Sequence, residues 1–136
     1  FGIPVMGHIG LTPQAINKFG GYIVMGRTEK QINYMMQSAR ALQDAGCFAI
    51  VLEAVLPDVS KMISQSIKIP TIGIGAGPHC DRQVLVISDM IGLYDDFKPK
   101  YVRRYANLAE TIRKAAKDFI SDVQKGAFPN KDESYE

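Results

Sequence analysis

The 136 residues carry 16 basic and 14 acidic side chains, a formal net charge of +2, and 46% of them are hydrophobic. That is the size of one ordinary domain with enough apolar material for a core, and the near balance of charge argues against the basic stripe of a nucleic-acid binder. No apolar run approaches the roughly 18 residues of a spanning helix, and Cys47 and Cys80 lack metal-type CxxC spacing, so no membrane partner is expected and a reducing compartment fits.

The chain begins without an initiator Met and runs directly into Ile3-Pro4-Val5-Met6. Residues 3–8 read as a first strand, and the abrupt start reads as a start in mid-domain. Residues 10–26 form a long loop punctuated by Pro13, Gly20, Gly21 and Gly26, with 22–25 as a short extended piece. Thr28 is then expected to cap a helix, with Gln31 completing a capping box. Ile32, Met35, Met36, Ala39 and Leu42 follow at helical spacing, and Gly46 supplies the stop. Cys47 follows as a small core residue.

The run 48–55 is short, apolar and bounded by turn signals, so it reads as a strand buried on both faces. Pro57 opens a helix to about residue 67, with Val59, Met62, Ile63 and Ile67 on its buried face. Pro70 starts a third strand that ends in Gly73-Ile74-Gly75-Ala76-Gly77, and residues 83–88 read as a fourth. Pro99 suits a helical turn in which Tyr101, Val102 and Tyr105 face a core. A break is expected at Asn107, paired with Glu110 as a second capping box. Leu108, Ile112, Ala116, Phe119, Ile120 and Val123 then form an apolar stripe closing at Gly126, and Arg103, Arg104, Arg113, Lys114 and Lys117 read as a solvated face. Residues 129–136 are a polar, frayed tail. The order βαβαββα, four buried strands and substantial helices with short connections, fits either a small doubly wound sheet or half of an eight-stranded barrel, and the start in mid-domain favours the half-barrel.

Glu53 is the foremost candidate for chemistry. It ends an apolar strand, where a carboxylate is costly unless paired and its pKa tends to rise, as suits a general base. The bland alternative is a structural acid that caps a helix or pairs with a lysine. His8, between Gly7 and Gly10, can bond a substrate oxygen, shuttle a proton or simply hold a backbone carbonyl. Gly75 and Gly77 do not follow the dinucleotide fingerprint; their amides can cradle an anion, or they can serve a tight turn needing positive φ. His79, Cys80 and Asp81 are adjacent, and three neighbours rarely converge on one ion.

Taken together, Gly7-His8-Ile9-Gly10-Leu11-Thr12-Pro13-Gln14, Val51-Leu52-Glu53 and Ile69-Pro70-Thr71-Ile72-Gly73-Ile74-Gly75-Ala76-Gly77 resemble the ketopantoate hydroxymethyltransferase family. Phe19-Gly20-Gly21-Tyr22, Gln83-Val84-Leu85-Val86 with Asp89, and Gly126-Ala127-Phe128-Pro129 extend the likeness over nearly the whole chain. The resemblance implies a (β/α)₈ TIM barrel of the phosphoenolpyruvate mutase and isocitrate lyase type. Residues 1–128 would then be its second half, about strands five to eight, and 129–136 a tail. It implies transfer of a hydroxymethyl group from 5,10-methylenetetrahydrofolate to 3-methyl-2-oxobutanoate, giving 2-dehydropantoate in pantothenate biosynthesis. Glu53 matches the family's general base and His8 its active-site histidine. The Mg²⁺ ligands belong to the first half of the barrel, so no metal ligand is assigned in this chain. The resemblance further implies a cytoplasmic homo-oligomer, a decamer, and an isolated fragment that is inactive. The alternatives are a related 2-oxo acid lyase or mutase, and a non-catalytic half-barrel needing a complementing chain. Two departures stand out: Arg82 where glycine is usual, which bears on that loop's backbone, and Ala54 where cysteine is common, a small change expected to be tolerated.

Overall fold

The computed structural model describes residues 2–12, 23–94 and 98–135; Pro13, Gln14, Phe19, Gly20, Gly21 and Tyr22 lie outside them. The chain divides into two compact units, residues 1–85 and 86–136.

The first unit holds strands β1 (Met6–Gly10), β2 (Ala49–Glu53), β3 (Thr71–Ile74) and β4 (Arg82–Gln83), with helices α1 (Glu29–Asp44) and α2 (Pro57–Ser66) between them. The strands lie side by side in chain order and every pairing is parallel. β1 lies two to three residues later than residues 3–8 because its register is set by β2: Met6 pairs with Ala49 and Gly10 with Glu53. The order matters for architecture. A doubly wound sheet reverses its strand order so that helices cover both faces. Here nothing reverses, and right-handed crossovers then put both helices on one face, as in a barrel. The core agrees, since Met35 and Ala39 of α1 and Val59 and Ile63 of α2 pack with Ile9, Ile50 and Leu52. The unit is therefore an α/β layer with a parallel sheet, in keeping with a fragment of a (β/α)₈ barrel.

Helix α1 begins as expected: Thr28 accepts a hydrogen bond from the Gln31 amide. Gln31 does not complete the box on Thr28; its side chain instead accepts from the amides of Gly26 and Arg27. Gly46, at φ +90°, ends the helix, and Cys47 is buried. In α2, Met62 is exposed rather than buried, while Ser60 takes an interior place by donating to the carbonyls of Pro57 and Ala76. Met25 forms an isolated parallel bridge with Val55, so the extended piece exists at its C-terminal end.

One expectation fails in a physically instructive way. The fourth strand is two residues long and exposed, not a buried run over 83–88. Among the described residues it pairs only with β3, with the Val84 amide adding one further bond to Gly73. An apolar run becomes a strand only where partners satisfy its backbone, and here the chain turns instead into helix α3 (Ile87–Met90). The β3–β4 connection carries no helix, as the expected order of elements has it. Parallel neighbours ordinarily need a crossover of about a dozen or more residues, whereas residues 75–81 return without one. They are clamped: Asp81 Oδ2 accepts from both the amide and the hydroxyl of Thr71 at 2.8 Å, and the Asp81 amide donates to Thr71 Oγ1 at 3.2 Å. Since that hydroxyl's proton is committed to Asp81, Ser64 is the donor in its 2.8 Å bond with Thr71. These bonds hold the Asp81 carboxyl below its usual range. A depressed folded pKa gives stability above the unfolded value of 3.8 that is lost as pH falls through the folded one. We expect Asp81→Asn to lower stability at pH 7 by about 1 kcal/mol, since the site is solvent-screened, and to lose this penalty progressively as pH falls below 3.8 and through the folded value, read by a series of urea melts from neutral to acid pH.

The second unit contains α3, helix α4 (Leu108–Gln124) and a 3₁₀ turn at Lys131–Glu133. Residues 99–101 make only a turn; Val102 is buried, but Tyr101 and Tyr105 are exposed. The break at Asn107 occurs without its cap. Asn107 Nδ2 donates to Glu110 instead, and the amides of Leu108 and Ala109 are satisfied by the carbonyls of Ile91 and Gly92. The stripe on α4 is not buried either: Ile112, Phe119, Ile120 and Val123 are exposed, although Phe119 meets Phe128 edge-on at 5.2 Å. In the tail Asn130 and Glu133 form a reciprocal capping box, so this stretch is locally ordered rather than frayed. Among the described residues no helix is long and apolar enough to cross a membrane.

Candidate active site

Alternation along the strands decides which side chains meet. Ile9, Ile50 and Leu52 point into the helix-covered core, so His8, Val51 and Glu53 project from the opposite face of the sheet. Glu53 is the last residue of β2, and His8 on β1 is level with Val51. Nε2 of His8 stands 3.2 Å from Oε2 of Glu53, with side chains 34% and 14% exposed respectively. Burial pushes the Glu53 carboxyl above its ordinary 4.5, and the charge and hydrogen bond of His8 partly offset that rise. A carboxylate so placed at the carboxyl end of a parallel strand is equipped to accept a proton from a bound molecule.

The backbone around Glu53 is tightly held. The Leu11 amide donates to its carbonyl at 2.9 Å, the Ala54 amide donates to Ile74 at 2.9 Å, and the Met25 amide donates to Ala54 at 2.8 Å. Gly10 lies opposite Glu53 at φ +100°, and a Cβ there would fall 2.1 Å from the Glu53 carbonyl oxygen. In the sequence Gly10 reads only as the start of the loop 10–26; its place beside the strand-ending acid comes from the β1–β2 register, which no local signal gives.

The other candidates do not join the pair. Gly75 and Gly77 have φ of +64° and +75°, and a Cβ on Gly77 would sit 2.6 Å from Pro57, so turn conformation and close packing already account for Gly77. His79 is exposed and Asp81 is committed to Thr71. The Cys80 sulfur lies over Gly73, 3.0 Å from where a Cβ would be, and burial raises its thiol pKa. Gly73 thus serves close approach of the return segment rather than a ligand. Arg82 lies in β4, and Ala54 is the only non-glycine residue with positive φ among the described residues, so arginine fits at 82 without strain. A cleft of about 360 Å³ between β1 and α1, lined by His8, Thr12, Tyr34 and Ser38 among others, does not include Glu53.

As a magnesium site the pair is inadequate by itself. A hard divalent cation takes about six oxygen ligands, whereas Glu53 and His8 offer one carboxylate and an imidazole. Among the described residues no group of three or more His, Cys, Asp or Glu side chains converges.

Comparison with known proteins is consistent across the chain. The sequence profile described as "Ketopantoate hydroxymethyltransferase" matches residues 1–131. A protein of Thermotoga maritima named 3-methyl-2-oxobutanoate hydroxymethyltransferase is 56% identical over 134 residues, 98% of this chain and 50% of that protein. Proteins of the same name from Clostridium kluyveri and Chlorobaculum tepidum are 52% and 51% identical over 98% of this chain and 48% of theirs. The chain thus spans about half the length of the curated relatives it matches.

Proposed function

The chain belongs to the ketopantoate hydroxymethyltransferase family, and from that premise we propose that it carries the proton-abstracting machinery of an enzyme making 2-dehydropantoate, a step of pantothenate biosynthesis. The observation that carries the reading is the carboxylate of Glu53 at the mouth of a parallel strand, 3.2 Å from an imidazole. Glu53 takes the proton from C3 of 3-methyl-2-oxobutanoate, and the C–H electron pair passes into the enolate. Water releases the one-carbon unit of 5,10-methylenetetrahydrofolate from its two nitrogens, both C–N bonds breaking and each nitrogen keeping its pair and gaining a proton. The enolate carbon bonds to the resulting carbonyl carbon, whose π pair becomes an alkoxide that takes the proton held by Glu53. With one water the products are 2-dehydropantoate and tetrahydrofolate. His8 holds the carboxylate across the open face of the sheet and can receive its proton.

Magnesium in this reading is held by polypeptide outside these 136 residues, and no step here is assigned to it. The chain alone is proposed to be inactive. The sheet supports this, because β1 and β4 each leave a strand edge unpaired among the described residues, as in a segment of a closed barrel. The working form would be a cytoplasmic homo-oligomer, a decamer by the family's habit. The backbone at Gly75 and Gly77 is proposed as a further ligand contact.

The test uses a polypeptide of the relatives' full length that carries this segment, assayed for 2-dehydropantoate formation from both substrates. Absence of product from a folded, magnesium-loaded protein overturns the reading. The pH profile gives a sharper check. His8 lowers the Glu53 pKa, so His8→Ala lets it rise, and the acid limb of kcat/KM moves to higher pH. An unmoved limb would separate His8 from the base.

A further inference from the structure

Glu53 is followed by a residue in an unusual conformation. Ala54 has φ +51°, the left-handed region that alanine seldom occupies. Such positions persist only where surrounding bonds over-determine them, and they concentrate at functional sites. Here the bonds are visible: the Ala54 amide is tied to Ile74 and its carbonyl to Met25, and Ala54 is buried.

The turn has a consequence for the residues on either side. Period-two alternation from Leu52 in the core would send Glu53 to the open face, residue 54 to the core and Val55 back to the open face. Val55 instead lies in the core cluster with Ile9, Leu52 and Val59, almost fully buried. The left-handed residue breaks the alternation, so Glu53 is the last side chain of β2 on its face and no valine follows it there.

We propose that Ala54 is a positioning residue for the proton transfer: its left-handed turn holds Glu53 beside His8 and keeps Val55 off the face where the keto acid lies. The proposal rests on the reading of Glu53 as the base. It assigns the effect to the backbone conformation at residue 54, not to the methyl group.

The test is C3-proton exchange of 3-methyl-2-oxobutanoate in D₂O, followed by NMR, with full-length protein loaded with Mg²⁺. Ala54→Val places a β-branched side chain where positive φ is least tolerated. It should lower kcat about 10²-fold, the scale of a misplaced catalytic group, with KM little changed. The acid limb should move to higher pH as the carboxylate leaves His8. Ala54→Gly, at home in this conformation, should keep kcat within about threefold. Should the valine variant not assemble, Ala54→Leu, unbranched at Cβ, replaces it with an expected loss of about tenfold. The proposal is overturned if a folded valine or leucine variant keeps the wild-type kcat and pH profile, or if the glycine variant falls as far as they do. Glu53→Gln run alongside separates the two ideas. Retained exchange there removes the base itself, whereas lost exchange with unaffected residue-54 variants removes only the role of Ala54.

Discussion

Replacing Glu53 by glutamine should abolish C3-proton exchange, by about 10³-fold, while leaving the protein at least as stable at neutral pH. The two halves of this result have one cause. Burial holds the Glu53 carboxyl above 4.5. A carboxyl whose pKa rises on folding favours the folded state only while protonated, and that contribution disappears as pH climbs through the folded value. Above it the ionised group opposes folding. Glutamine matches the shape, carries no charge and removes that opposition, so a urea midpoint at pH 7 should stay or rise. Near pH 4 the two proteins should converge. A structural acid behaves in the opposite way: removing a stabilising ion pair lowers the midpoint and spares exchange. The 3.2 Å contact with His8 does not decide between these by itself; the pairing of lost chemistry with kept stability does.

How much of this was legible beforehand follows the physics of each element. Helix α1 announces itself because a cap, a 3.6-residue stripe and a terminal glycine all lie within one segment. Strand β2 does so because a short apolar run between turns has few other uses. Glu53 stood out because a lone charge ending such a run is costly unless it serves a purpose. Elements whose burial depends on something beyond the segment were misread. Residues 83–88 look like a buried strand, yet among the described residues the pairing with β3 ends at Gln83 and the Val84 amide. The stripe of α4 likewise looks like a core face, but Ile112, Phe119 and Val123 are exposed. Amphipathicity states that a face wants cover, not that cover is present.

Other features were illegible for a different reason. The left-handed turn at Ala54 leaves no mark in a single sequence, because alanine is unremarkable in any conformation; a substitution there looks small when only side-chain size is weighed. The Thr71–Asp81 clamp joins residues ten apart through a side chain and an amide, which no periodicity encodes. One clue was nonetheless available: the glycines ending β3 stand too close to Gln83 for a helix to fit between parallel strands, so some other device had to hold the return.

Gly10 offers the other large effect, and a matched control sits in the same unit. Gly10 and Gly46 have similar backbone angles, φ +100° and +90°. A Cβ on Gly46 meets nothing within 4 Å, whereas one on Gly10 would lie 2.1 Å from the Glu53 carbonyl oxygen and 2.8 Å from Val55 Cγ2. Alanine at 46 therefore suffers only conformational strain, about 1 kcal/mol. Alanine at 10 adds a backbone clash that cannot be relieved by rotating a side chain, so at least about 3 kcal/mol is expected. The displacement falls on the residue whose carboxylate faces His8, so exchange at C3 should fall in whatever fraction remains folded. Denaturant melts of the two variants side by side measure the difference. If they lose the same stability, the β1–β2 pairing yields at its end, φ alone accounts for Gly10, and Glu53 is held less rigidly than its hydrogen bonds indicate. If Gly10→Ala loses more and also loses exchange, the close approach of the two strands is part of how the base is placed.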